Sequence, residues 1–258
     1  MREPLKIRTI ALAAFITCGS AVIAQAQAPT TNAPSPWTAS AAAGLTLTRG
    51  NSHTTTGTLN LNADRKNDVQ EILLGADATY ATAQQSGQSS AEETAEIVHG
   101  SAQYNRFAIR NFYYGIKLDG IHDGIADINY RFSLAPLVGY YLINHTNTSL
   151  AVEAGPGLVI QETGTSGHRD NSRYWVLRGG ERFEHKFSPT ARVWQSFEIF
   201  PQIDKFDNYY FNFEIGAEAK LTGHFSLRTY IDDTYYNNPA VGRLKNDTKT
   251  VAALAYTF

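Results

Sequence analysis

The sequence predicts an all-β fold, a transmembrane antiparallel up-and-down β-barrel of about 12 strands, and three observations predict it. Apolar and polar residues alternate with period two through most of residues 37–258, and no window sustains helical periodicity. The segments between turn signals run 12 to 17 residues. Ordinary strands run about 5 to 6, while a tilted strand needs about 9 to 11 to cross a bilayer. Short turns and longer polar loops alternate along the chain, as the two ends of such a barrel require.

Residues 1–26 read as a secretory signal peptide. Arg2, Lys6 and Arg8 form a basic start, Thr9 to Ile23 is apolar or small, and Ala24-Gln25-Ala26 offers a small-x-small cleavage site. Gly19, Ser20, Gln25, Gln27 and Pro29 argue against a spanning helix. Cys18 is expected to leave with this leader, so neither a disulfide nor a thiolate is available to the mature chain. Residues 27–36, QAPTTNAPSP, carry three prolines and no charge and read as a flexible periplasmic linker.

Residues 37–258 form the predicted barrel. Segments 37–49 and 53–65 flank Gly50-Asn51-Ser52, and Lys66-Asn67-Asp68 turns into 69–83. The loop Gln84 to Glu93 leads to 94–107, and Ala108-Ile109-Arg110 turns into 111–122, where Phe112, Tyr114, Ile116 and Leu118 alternate with Lys117 and Asp119. Segments 127–143 and 148–163 flank Asn144 to Asn147, and a loop at Gly164 to Asn171 precedes 172–187. Ser188-Pro189 turns into 190–202, and Asp204 to Asp207 connects to 208–221, where Phe211, Phe213, Ile215, Ala217 and Ala219 alternate with Asn212, Glu214, Gly216 and Glu218. Thr222-Gly223 turns into 224–237, and Asn238 to Asn246 leads to 247–258. The even strand count places the short turns and both barrel ends on the periplasmic side. Leu254, Tyr256 and Phe258 alternate large apolar rings and chains with small residues, which reads as a membrane-insertion signal for the barrel-insertion machinery.

Composition narrows the function classes. Charged residues are 18% of the chain, below the roughly 25% of soluble domains, while 14 Tyr and 13 Phe supply large rings. The mature chain carries 19 basic and 23 acidic residues, net −4, with no basic excess to hold nucleic acid. The expected partners are outer-membrane lipid, the insertion machinery and small solutes.

Trp37, Gly44-Leu45-Thr46-Leu47-Thr48-Arg49-Gly50-Asn51-Ser52, Arg131 with Gly139-Tyr140-Tyr141, Gly155-Pro156-Gly157, Asp233-Thr234-Tyr235-Tyr236-Asn237-Asn238-Pro239 and Lys245-Asn246-Asp247 together resemble a bacterial family of unknown function that includes the salt-stress-induced outer-membrane proteins. The resemblance spans almost the whole mature chain. It implies an outer-membrane β-barrel and lends no catalytic residues.

No catalytic residue, metal site or cofactor is expected. His53, His99, His122, His145, His168, His185 and His224 are spread singly, so surface or rim positions are expected for them. Asp232 and Asp233 are adjacent on a strand and face opposite sides, which argues against one protease-like water site. His99 and Ser101 share a parity, the minimum a barrel-embedded lipase needs, without a supporting motif. No phosphate loop or dinucleotide fingerprint is present. A barrel-embedded hydrolase is therefore the rival class, and a soluble periplasmic β-sandwich a third.

If the apolar parity faces lipid, the other parity turns Asp77, Lys117, Asp119, Arg131, Glu153, Arg178, Arg182, Glu184, Arg192, Glu198, Glu214, Glu218, Lys220, Arg228 and Asp232 into the lumen. Seven basic and eight acidic residues nearly cancel, which fits salt bridges cross-linking a narrow interior as well as a polar channel. Twelve strands give a backbone diameter of roughly 24 Å. Glu181 breaks the parity beside Gly179-Gly180, so a bulge is expected there. Pro136 and Pro156 fall almost opposite each other in one hairpin and are expected to require a bulge or bend. The reading is a non-enzymatic outer-membrane barrel, either a narrow small-solute channel or an envelope-supporting protein.

Overall fold

The computed structural model describes residues 37–48, 52–85, 90–165, 167–239 and 243–258. The expected signal peptide and linker, Cys18, and Gly50-Asn51 lie outside the described residues. The described chain forms twelve strands. They are β1 (Thr38–Thr48), β2 (Ser52–Lys66), β3 (Gln70–Gln85), β4 (Glu92–Phe107), β5 (Phe112–Asp123), β6 (Ile128–Asn144), β7 (Thr148–Thr163), β8 (Asp170–Ser188), β9 (Ala191–Gln202), β10 (Lys205–Lys220), β11 (Phe225–Tyr236) and β12 (Asn246–Thr257). Each pairs antiparallel with its sequence neighbours, and β12 returns to β1 to close the barrel. Closure satisfies the edges that a sandwich would leave, so the β-sandwich reading is set aside.

The period-two pattern becomes two faces. Along β6, Arg131, Ser133, Ala135, Leu137 and Tyr141 are buried, while Phe132, Leu134, Val138, Tyr140 and Leu142 are exposed. The arrangement inverts a soluble protein, with charge inside and large apolar groups outside. The seam is short, because β1 and β12 pair only over Ser40–Ala43 and Leu254–Thr257.

Aromatic rings cover glycines on neighbouring strands. Tyr113 pairs with Gly139 and Trp194 with Gly216. A Cβ on Gly139 would stand 2.3 Å from the Tyr113 ring, and one on Gly216 would stand 2.2 Å from Trp194. Each ring occupies the space a side chain would take on the bare backbone, a device that pins register in strongly curved sheets.

The irregularity expected at the two prolines is present as a lost rung, while two other positions differ from expectation. Pairing between β6 and β7 keeps one register from Leu134↔Leu158 to Val138↔Ala154 and is interrupted between them. Pro136 and Pro156 thus stand directly opposite. Neither has an N–H for the other's carbonyl, so the rung is lost without a bulge. Gly155 permits a close approach here, since a Cβ would meet the Pro136 carbonyl oxygen at 2.1 Å. The bulge expected at Glu181 is also absent, because Gly180↔Glu153, Glu181↔Val152 and Arg182↔Ala151 pair in regular register. Glu181 instead takes the outward face, opposite in parity to the buried Arg178. A shift does occur between Lys205 and Tyr209, where a polar loop was expected. There β9 and β10 are joined by Ile203 and Asp204 alone.

Candidate functional site

Side chains on non-adjacent strands of a closed barrel can touch only through its interior. Lys117 on β5 reaches Glu198 on β9 at 2.6 Å, and Arg182 on β8 reaches Glu71 on β3 at 3.0 Å. The interior is therefore bridged by ionic side chains.

Three networks account for most of the charge. The first alternates sign along Glu71, Arg182, Glu153, Arg178, Glu198 and Lys117. Arg182 donates to Glu71 at 3.0 Å and to Glu153 at 3.1 Å, Arg178 donates to Glu153 at 2.8 Å and also to Glu198, and Lys117 closes on Glu198. Neutral donors complete the carboxylates. Glu71 accepts from Tyr141 Oη at 2.6 Å and Asn105 Nδ2 at 2.7 Å, and Glu153 from Tyr113 Oη and Gln103 Nε2, both at 2.7 Å. Buried carboxylates at this depth require such saturation, since an unpaired charge costs several kcal/mol.

The second network joins Glu184, Arg192, Glu218 and Arg228. Arg192 donates to Glu184 at 2.7 Å and to Glu218 at 2.6 Å, Arg228 donates to Glu218 at 3.2 Å, and Ser226 donates to the other Glu218 oxygen at 2.5 Å. The third is richer in acid. His99 meets Asp77 through Nδ1 at 2.8 Å and Asp119 through Nε2 at 2.9 Å, while Lys249 lies 3.8 Å from both Asp77 and Asp232. With both carboxylates ionised, both ring nitrogens must donate, which describes an imidazolium.

The remaining residues of the predicted set also have defined places. Glu214 accepts from Trp194 Nε1 at 2.5 Å, and Arg131 lies between the Tyr210 and Tyr236 rings at 4.7 and 5.0 Å while donating to Gln161 at 2.7 Å. Lys220 lines the cavity at the end where β1 begins and β12 ends. His99 corrects the expectation of surface or rim positions, since it sits inside between two carboxylates.

Sequence reasoning missed Glu71, His99 and Lys249, and it assigned the inward tyrosines to neither face. Tyr113 shares the odd parity of Lys117 and Asp119, which was the available signal. Lys249 had none, because its inward companions Val251, Ala253 and Ala255 are all apolar.

Two cavities open from opposite ends. The one at the terminal end encloses about 950 Å³ and reaches inward to Asp77 and Glu214. The other, about 420 Å³, is bounded by Arg131, Gln161 and Tyr236. Arg178, Val159 and Val176, all almost fully buried, line neither cavity. Among the described residues no cluster of three or more His, Cys, Asp or Glu side chains has the arrangement of a metal site.

No curated protein matches the sequence. Solved outer-membrane barrels resemble the structure. The NanC porin aligns with a TM-score of 0.50 at 10% identity, covering 85% of this chain and 98% of that one. An outer-membrane channel of Pseudomonas putida F1 aligns at 0.49 and 11% identity, covering 86% and 94%. The translocator domain of the autotransporter NalP from Neisseria meningitidis aligns at 0.46 and 13% identity, covering 86% and 87%. At these identities the likeness concerns fold. The family model described as protein of unknown function, DUF481, matches residues 41–258, and the chain belongs to that family.

Proposed function

We propose that this chain is a non-enzymatic outer-membrane barrel that passes small solutes through a narrow, charge-lined interior. The observation that carries the reading is the pair of cavities entering a closed, lipid-compatible wall from opposite ends, the larger lined by the ionic side chains Glu71, Arg182, Arg192 and Glu218. Apolar residues such as Leu118, Phe132, Leu134, Val138, Ile215 and Leu227 cover the outside, as contact with lipid requires. Leu254, Tyr256 and Phe258 are exposed at the terminal end and suit recognition by the insertion machinery.

The hydrolase alternative gains little. Both nitrogens of His99 are engaged by carboxylates, which leaves none to activate Ser101. Asp232 is near Lys249, whereas Asp233 accepts from Asn246, so the two acids do not share one water. Planar-bilayer recording on the refolded chain tests the proposal. Discrete, small conductance steps are expected, and activity on ester or peptide substrates without any conductance would reverse it.

A further inference from the structure

The near balance of interior charge conceals a separation along the barrel axis. At the terminal-end mouth the cations are the wetter members of their pairs. The Lys66 side chain is 41% exposed against 5% for Glu71, Lys186 is 50% against 30% for Glu184, and Arg192 is 36% against 8% for Glu218. Lys220 is exposed there and has no ion pair among the described residues. Two guanidinium nitrogens beneath them, Nε of Arg182 and Nε of Arg228, are buried without an acceptor. Asp64 is the exposed carboxylate on this wall. Deeper in the same cavity the sign reverses, with Asp77 and Glu214 in its lining and Asp119 and Asp232 close by in the acidic network.

We propose that this vestibule binds a dissolved, multivalent oxyanion of phosphate or carboxylate type. The proposal concerns binding at the mouth and goes beyond the channel reading, without requiring that the anion passes through. A solute entering from the terminal end meets ammonium and guanidinium groups first, because the carboxylates that neutralise them are turned into the wall. Cations on different strands, Lys66 on β2, Lys186 on β8 and Lys220 on β10, surround a space of about 950 Å³, enough for a small polyanion with part of its hydration. Charge of one sign within low-dielectric walls concentrates the opposite ion. The acidic layer below then opposes onward movement, so the anion is held at the mouth rather than passed freely.

Calorimetric titration of sodium pyrophosphate, and separately citrate, into the refolded full chain in zwitterionic micelles tests the site without requiring conductance. Saturable binding is expected. The Lys66→Gln, Lys186→Gln double variant should bind about tenfold more weakly, as expected for loss of two charge-assisted contacts. These side chains are half-exposed, and heat-modifiable gel migration verifies that the variant folds. Asp64→Asn should tighten binding, and Arg243→Gln at the opposite end should leave it unchanged. A repeat in phosphatidylcholine vesicles with and without phosphatidylglycerol separates a dissolved ion from a lipid headgroup, with equal affinity in both expected. The proposal is overturned by absence of pyrophosphate and citrate binding at millimolar concentration, by undiminished binding in the double variant, or by displacement through the anionic lipid. Binding without conductance would retire the channel reading alone, and conductance without binding would retire the site alone.

Discussion

Lys117 and Glu198, four strands apart, are joined directly across the barrel, with Lys117 Nζ donating to both carboxylate oxygens. The contact is a strut, because it fixes the distance between walls a third of the circumference apart. Lys117→Met would leave Glu198 to Arg178 alone. Because one partner remains, we expect a loss of about 1–3 kcal/mol, less than for an orphaned buried charge. Urea-unfolding midpoints in micelles measure it. An unchanged midpoint would show that the strut contributes nothing to the wall.

The rings over glycines give a second, steric prediction. Gly139→Ala would drive a methyl into the Tyr113 ring and dislodge its bond to Glu153, and Gly216→Ala would do the same to Trp194 and its bond to Glu214. Each should cost about 1–3 kcal/mol, the usual range for overpacking. Gly57→Ala, with nothing within 4 Å of the added carbon, should be near neutral in the same unfolding series.

The barrel was legible because its two faces differ chemically at every second residue. On β6 the parity that puts Arg131 inside also puts Phe132 and Leu134 outside, so sequence alone orients the strand. Partners were not legible. Parity places Lys117 and Glu198 on the same interior surface, but their meeting depends on strand tilt, barrel diameter and register, which no local pattern encodes. His99 was misplaced for the same reason, since its two carboxylates come from β3 and β5. The polar stretch Asp204 to Asp207 read as a loop because a β-bulge and a loop share the same composition.

The opposed prolines make a third prediction. Pro136 and Pro156 interrupt the β6–β7 ladder while the register is preserved on both sides. Restoring the donors in a Pro136→Val, Pro156→Val double variant should let the rung form. The gain should be about 1–2 kcal/mol at most, from two hydrogen bonds of ordinary net worth. A lower unfolding midpoint would mean that the interrupted rung relieves strain in the wall.

Glu181 supplies a fourth. It is an acid on the outward face of β8, between Val152 on β7 and Phe197 on β9, and no partner for it is present among the described residues. A lipid-facing carboxylate is unfavourable, though less so than a lysine or arginine. Glu181→Leu should therefore stabilise the barrel in bilayers by about 1 kcal/mol while leaving conductance unchanged. If the substitution instead lowers stability or alters migration of the native complex on non-denaturing gels, this face is engaged by something other than lipid.

Conduction is the last prediction. The basic mouth and the acidic layer beneath it oppose each other along one path, so we expect a small pore with at most weak cation preference. Glu214→Gln is the clean perturbation of the acidic layer, because an amide oxygen can still accept from Trp194 while the charge is removed. It should move the reversal potential in a KCl gradient toward the anion side. Arg228→Gln should move it the other way, and by less, because Glu218 retains Arg192 and Ser226 as donors. His168→Gln, in an exposed loop, should leave it unmoved. Strong anion selectivity in the unaltered protein would mean that the acidic layer does not lie on the conduction path.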